Sequence, residues 1–396
     1  MYLSRLFLSD FRNYKELELS LGPGLFLFYG DNAQGKTNLL EAVSMLATAT
    51  SFHASSDREV VNWSAQDHVA RLDGTVQRLE DKIQLEVLIV DPSPPVFAAA
   101  AGVRVNPRSI ELPAHAPRKR YKVNGVPKRT IDLIGQLKVV LFAPSDLHLV
   151  DGGPEERRRF LDRALCQVQP RYSVALVKYR KIVTQRSALL KRIRDNQEDP
   201  GMLNYLDEQL TQLANQIIYE RRRMIDALND RANEFQRAIS GGREQLQIVY
   251  RPSFQVDGDW GLTEAAEHYR EQLRDARKKE IHQGVCLRGP HRDDLEFLVN
   301  GVNMLSYGSR GQQRTAALSA KLAELAFMHS STGDQPILLL DDVFSELDAS
   351  RREYLLCQVA GYEQVMLTST DLEGFPADMV QRAHRYQVSG GVLKSE

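Results

Sequence analysis

Residues 30–37 read GDNAQGKT. The pattern G-x-x-x-x-G-K-[ST] constrains the fold strongly, because it works only where a buried strand ends and a helix begins. Both neighbours are present. LFLFY (25–29) is an apolar run of the kind a strand buried on both faces needs, and KTNLLEAVSMLA (36–47) predicts a helix. Gly30 and Gly35 let the backbone turn tightly, so that successive N–H groups face inward at phosphates. The helix N-terminus adds partial positive charge. Gly30, Asp31, Asn32, Ala33, Gln34, Gly35, Lys36, Thr37 and Asn38 are therefore the candidate nucleotide-binding residues. Lys36 is expected to reach the β- and γ-phosphates, and Thr37 to offer its hydroxyl to Mg2+.

A second motif completes the first. ILLLDDVFSELD (337–348) is an apolar strand that delivers Asp341 and Asp342 to its C-terminal edge. Asp341 is the candidate metal carboxylate, with Thr37 as the other metal ligand. Asp342 and Lys36 are the candidate catalytic residues, Asp342 as the base that orients or deprotonates an attacking water. About three hundred residues separate the two motifs, which implies that a whole lobe is inserted between them. Just upstream of the second motif lies SRGQQR (309–314), followed by the helical pattern TAALSAKLAELAFM. Ser309 and Gly311 thus stand at a helix N-terminus, a position suited both to capping and to anion binding.

The rest of the chain divides into two kinds of pattern. Alternating segments at 3–8, 17–21, 68–78 and 81–90 predict half-buried strands, and Asn-Gly within RYKVNGVPK (120–128) predicts a hairpin. Residues 91–117 are rich in Pro and Ala without periodicity and read as an insertion or long loop. From about 154 the pattern becomes helical. Leu203, Leu206, Leu210, Leu213 and Ile217 form a 3-4-3-4 seam, and Tyr172, Leu176, Tyr179, Val183, Leu190 and Ile193 offer a partner face. Asp199-Pro200-Gly201 lies between them as a turn, so an antiparallel helical hairpin is expected. Strands are expected again at 245–251 and 295–299, separated by a helix near 262–280. The domains expected are 1–153 and 284–396 as two parts of one nucleotide-binding head, with 154–283 as a basic helical arm lobe.

Composition narrows the function classes. No run approaches the ~18 apolar residues of a membrane helix. The N-terminal stretch carries Arg5, Asp10 and Arg12, unlike a signal peptide, and the three cysteines form neither a disulfide framework nor a zinc pattern. A cytoplasmic setting is expected. Net charge is −1, yet between Pro154 and Arg194 twelve Lys or Arg face three acids. Such a segment is either a solvated helix face or a phosphate-backbone surface. Arg157, Arg158, Arg159, Lys178, Arg180, Arg186, Lys191 and Arg192 are the candidate DNA contacts.

The order of Gly30–Thr37, a Ser-x-Gly-Gln element and DD-x-x-x-E-LD resembles the ABC-type ATPases of the SMC class. FRNY (11–14), GKTNLLEA (35–42), LFAPSDL (141–147), GPEERRRFLD (153–162), GPHRDDL (289–295), SRGQQRTAAL (309–318) and LLLDDVFSELD (338–348) extend the similarity to the RecF family over nearly the whole chain. The resemblance implies an α/β fold: an ABC-type P-loop ATPase head, mixed sheet with helices, carrying an inserted, mainly helical arm lobe. It implies ATP and Mg2+ as cofactors. Ser309, Arg310, Gly311 and Gln312 would act as a signature in trans, and Glu346 and Asp348 as the D-loop. The homodimer would form in the ATP state on double-stranded or gapped DNA. RecR and RecO would be partners in loading RecA at gaps during DNA damage, replication repair and the SOS response.

Two positions depart from the family pattern. Ser145 stands where an acid is expected, leaving Asp146 as the nearest polar candidate for the Q-loop, and Thr370 stands where a switch His is common. Asp342 is one methylene shorter than the Glu of ABC transporters. A base misplaced by ~1 Å costs roughly a hundredfold, so a weak ATPase that serves as a switch is expected. A P-loop phosphotransferase, or an ABC head serving a defence nuclease, are the alternatives at this level; Arg12 and Tyr14 are further candidates for base contacts.

Overall fold

The computed structural model describes residues 1–79, 81–91, 119–253 and 262–396. The chain divides into two compact units, Met1–Pro144 with Gly333–Glu396, and Ser145–Thr332. The boundaries expected from sequence, at 153/154 and 283/284, differ from these. Residues 284–332, with SRGQQR, fall in the second unit. The Pro- and Ala-rich stretch lies outside the described residues, apart from Asp91.

The first unit holds two sheets. One is an antiparallel meander of β1 (Tyr2–Phe11), β2 (Tyr14–Ser20), β4 (Val69–Gln77), β5 (Lys82–Val90), β6 (Lys119–Val123) and β7 (Val126–Lys128), in the order β2-β1-β4-β5-β6-β7. Strand β5 alternates buried Ile83, Leu85, Val87 and Ile89 with more exposed residues, as one-sided burial demands, whereas β4 is buried from Leu72 to Val76. The other contains β3 (Gly24–Tyr29), β8 (Val139–Phe142), β12 (Ile337–Asp341), β13 (Gln364–Ser369), β14 (His384–Ser389) and β15 (Val392–Ser395), in the order β15-β14-β3-β13-β12-β8. All its pairings are parallel except β14 with β15. The edge strand β8 (VVLF) and the inner strand β12 (ILLLD) are buried at every residue, and inner β13 is buried from Gln364 to Thr368.

Helix α1 (Lys36–Thr48) packs on strands of both sheets and is buried without a break from Leu39 to Ala47. That explains its weak amphipathicity: a helix covered all round needs no polar face. Helix α7 (Ala349–Val359) follows β12, capped by Asp348, whose side chain accepts from the Arg351 N–H at 2.9 Å. Parallel sheets place ligands outside the carboxyl ends of their strands. Here the carboxyl ends of β3 and β12 bear the two nucleotide motifs, with β13 as the one strand between them.

The second unit is mainly helical. It comprises α2 (Pro154–Val168), α3 (Pro170–Arg194), α4 (Leu203–Ile239), α5 (Leu262–Gln283), α6 (Arg310–Thr332) and a small antiparallel sheet of β9 (Leu246–Arg251), β10 (Asp294–Val299) and β11 (Val302–Asn303), ordered β11-β10-β9. Helices α3 and α4 form the expected hairpin. Arg186 meets Asp207 near the turn, and Tyr172 meets Arg221 farther from it, which fixes the antiparallel register. The buried seam of α4 runs Leu203, Asp207, Leu210, Ala214 and Ile217, with Leu206 and Leu213 half-buried beside it.

Charged side chains fill part of this unit's interior. Arg221 donates to Asp162 at 2.9 Å, to Tyr172 at 3.0 Å and to the Pro290 carbonyl at 2.7 Å. Arg157 pairs with both oxygens of Asp294, at 2.6 and 3.0 Å. The GPEERRRFLD and GPHRDDL stretches therefore serve one another as a hydrogen-bonded framework. A buried ion must be fully paired to be tolerated, and these are.

Candidate nucleotide site

The loop 30–35 turns through three left-handed residues, Gly30 (φ +141°), Ala33 (φ +63°) and Gly35 (φ +115°). It is braced from two sides. The Asn13 side-chain amide donates to the Gln34 carbonyl at 2.8 Å and accepts from Asn38 at 2.8 Å, while Tyr14 Oη donates to the Gly35 carbonyl at 2.9 Å. From the β14–β15 turn, Gly391 N–H donates to the Gln34 carbonyl at 3.0 Å and Gly390 N–H to Gln34 Oε1 at 2.7 Å. The side chains of Gln34 and Asn38 thus hold the loop itself. Asp31, Asn32 and Ala33 are exposed at its crown.

Arg12 forms a bidentate pair with Glu41 of α1, at 2.7 Å for each bond, and Tyr14 is fully buried. Both side chains are structural parts of the loop's support. Neither is free to contact a base.

Lys36 Nζ folds back on the loop, donating to the carbonyls of Gly30 at 2.5 Å and Asp31 at 2.7 Å. Burial pushes its pKa down, opposed by the carboxylates of Asp342, Asp341 and Asp31. Thr37 Oγ1 donates to Asp341 Oδ1 at 2.8 Å, which joins the two motifs across 304 residues. Burial raises the Asp341 pKa against the hydroxyls of Thr368 and Thr37, and raises that of Asp342 with help from neighbouring Asp341. Asp342 has φ +46°. Its N–H donates to Thr368 Oγ1 at 3.0 Å, and Ser345 Oγ donates to its carbonyl at 2.7 Å. Thr37 and Asp341 present adjacent hard oxygen donors, which suits Mg2+, an ion that completes its shell with water and substrate phosphates.

The other predicted residues fall as follows. Ser309 caps α6 in a capping box: its Oγ accepts from Gln312 N–H at 3.3 Å and Gln312 Oε1 accepts from Ser309 N–H at 3.1 Å. Ser309 and Arg310 are exposed, Gly311 and Gln312 half-buried, and Gln312 also donates to Glu244 at 3.0 Å. Asp348 is the α7 cap, and Glu346 lies in the single turn Val343–Glu346. Asp146 lies in the turn Pro144–His148. Thr370 Oγ1 donates to Asp371 at 3.1 Å.

Among the basic candidates, Arg157 and Arg186 are corrected. Both are buried, Arg157 on Asp294 and Arg186 on Asp207 and Glu280, so neither offers its charge to a phosphate. Arg158 is half-buried and donates to the Asp293 carbonyl at 2.7 Å. Arg159, Arg180 and Arg192 are exposed but pair with Glu155, Asp162 and Glu198. Lys178 and Lys191 are exposed with no ion pair among the described residues. From Pro170 to Arg194, α3 carries eight Lys or Arg and no acid, so its exposed side is positive.

The RecF/RecN/SMC N terminal domain model matches residues 2–386. The chain belongs to that family. The DNA replication and repair protein RecF of Chloroflexus aurantiacus is 43% identical, covering 99% of each chain, and that of Halalkalibacterium halodurans is 39% identical over 100% of each. A solved structure of the recombination mediator protein RecF with ATP, in the RecFOR pathway, superposes with a TM-score of 0.85 at 31% identity, covering 100% of this chain and 97% of that one. An SMC head bound to the C-winged helix domain of ScpA reaches a TM-score of 0.53 at 14% identity, covering 100% of this chain and 97% of that one, a likeness of fold. The fold is thus that of an ABC-type ATPase head with an inserted helical unit. No helix among the described residues is long and apolar enough to cross a membrane.

Proposed function

We propose that this chain is an ATP-dependent DNA-binding protein of recombinational repair and replication maintenance, in which ATP drives dimerisation and slow hydrolysis reverses it. The Thr37–Asp341 bond carries the reading, since it unites both nucleotide motifs at one sheet edge. The full-length likeness to RecF proteins, one of them solved with ATP, supports it.

ATP would lie on the loop 30–37, where Lys36 exchanges the Gly30 and Asp31 carbonyls for β- and γ-phosphate oxygens. Mg2+ would be held by Thr37 and Asp341 and supplies charge neutralisation of the phosphates. Asp342 orients the attacking water. The γ-phosphate remains exposed on one protomer, and a second copy's Ser309 hydroxyl and α6 N-terminus satisfy it, with Arg310, Gly311 and Gln312 alongside. Glu346 and Asp348 line the same contact. ADP lacks the γ-phosphate, so ATP favours the dimer by differential affinity.

The exposed basic side of α3 contacts duplex or gapped DNA through phosphates, with Lys178 and Lys191 leading and Arg159, Arg180 and Arg192 supporting. Base readout is not expected. RecR and RecO are the proposed partners, and RecA loading at gaps the proposed outcome.

Light scattering with and without ATP tests the scheme. Wild type should dimerise with ATP, Ser309→Arg should bind ATP and stay monomeric, and Asp342→Asn should accumulate as dimer. Normal dimerisation by Ser309→Arg would sink the composite site.

A further inference from the structure

Between the strands that carry the two motifs stands β13, and Thr368 near its carboxyl end is buried, at 1% exposure. Its Cα pairs with Asp341 on one side and Phe28 on the other. A single hydroxyl there serves both acids. Thr368 Oγ1 donates to Asp341 Oδ1 at 2.8 Å and accepts from the Asp342 N–H at 3.0 Å. The Leu340 carbonyl, at 3.5 Å, is a poorer acceptor for the same proton.

Asp342 needs such a hold. Its φ of +46° lies in the left-handed region, which disfavours side-chain-bearing residues by about 1–2 kcal/mol, less for Asp than for most. The peptide stays there because Thr368 fixes its N–H and Ser345 its carbonyl. At Asp341, Oδ1 receives two hydroxyl protons, from Thr37 and from Thr368. Thr37 is the one expected to engage a cation, leaving Thr368 as the constant partner.

We infer that Thr368 is a positioning residue for ATP hydrolysis, setting Asp341 through its carboxylate and Asp342 through its backbone. The inference rests on the function proposed above. The sequence drew attention to Thr370 as the sensor position, but that hydroxyl serves Asp371. Two residues earlier, the same strand reaches the reacting groups.

Thr368→Val keeps the branched shape that fills the site and removes both hydrogen bonds. Asp342 is then free to leave the left-handed region, and a base displaced by ~1 Å loses roughly a hundredfold in rate. Thr368 Oγ1 bonds to Asp341, Asp342 and Leu340 rather than to the loop 30–37, so nucleotide affinity should hold. Four readouts on the full chain decide the matter. In Thr368→Val, kcat should fall about 30- to 100-fold. The Kd for ATP in EDTA should stay within about twofold of wild type, and Thr368→Ser should recover most of the rate. The Mg2+ concentration that half-saturates the complex with a non-hydrolysable ATP analogue, read by thermal shift without turnover, should rise severalfold.

A variant whose kcat matches wild type, or whose Kd rises and melting temperature falls while kcat per bound ATP stays constant, overturns the role of Thr368. A wild type whose ATP hydrolysis is absent, or survives Asp342→Asn, overturns the functional reading and this inference with it.

Discussion

Gly391→Ala should weaken nucleotide binding from a hairpin outside the motif. A Cβ at Gly391 would stand 2.4 Å from the Asn13 carbonyl oxygen, closer than real Cβ contacts come, and φ there is +79°. The turn must withdraw. With it go the Gly391 bond to the Gln34 carbonyl and the Gly390 bond to Gln34 Oε1, each worth about 1 kcal/mol net. Asn13, pushed from the other side, loosens its own bond to the same carbonyl.

Reordering the loop on ATP must then recover ~2 kcal/mol, which is roughly a 30-fold rise in Kd. Gly390→Ala is the control: its φ is +54° and a Cβ there meets nothing within 4 Å, so it carries the backbone cost without the collision. Titration with a fluorescent ATP analogue, alongside melting temperatures, compares the three proteins. A Kd for Gly391→Ala within twofold of Gly390→Ala would refute the bracing.

Four further outcomes follow from the same structure. Asp342 has a raised pKa, so its folded form binds a proton before its unfolded form does; its contribution to stability is present at low pH and lost as pH rises. ATPase activity should therefore fall on acidification above pH 3.8, while any melting-temperature advantage of Asp342→Asn at pH 7 shrinks as pH drops. His291 moves the other way. Burial lowers its pKa from 6.5 to about 4, with Tyr179 hydrogen-bonded to Nδ1, so stability is lost as pH falls between those values and His291→Gln should flatten that slope. For DNA, replacing Lys178 and Lys191 by Ala should reduce the salt slope of log K by about 2. Arg186→Ala should instead destabilise the protein by roughly 3–5 kcal/mol, because Glu280 stays buried without its ion-pair partner and Asp207 keeps only Arg277.

The nucleotide motifs were legible because each is local: a strand, a turn and a helix in sequence order fix Lys36, Thr37 and Asp341. The support around them was not. Asn13, Gly391 and Thr368 meet the motifs only through sheet order, which brings β13 between β3 and β12 and sets the β14–β15 turn beside the loop. The basic segment misled through counting charge without phase. Tyr172, Tyr179, Arg186 and Ile193 recur every seven residues along the buried side of α3, so Arg186 sat on the seam all along. Arg157 likewise shares the buried side of α2 with Phe160, Leu161 and Ala164. Their burial could have been found from spacing, whereas the acids that neutralise them come from distant segments.

The central claim is that one protomer's Walker residues work with another's Ser309, and mixing two inactive variants tests it most directly. Lys36→Ala lacks a phosphate ligand and Ser309→Arg blocks the signature, so neither should hydrolyse ATP alone. Combined, they form heterodimers with one intact composite site. Hydrolysis should return on mixing, whereas a mixture as silent as its parts, or full activity in Ser309→Arg alone, would contradict the account.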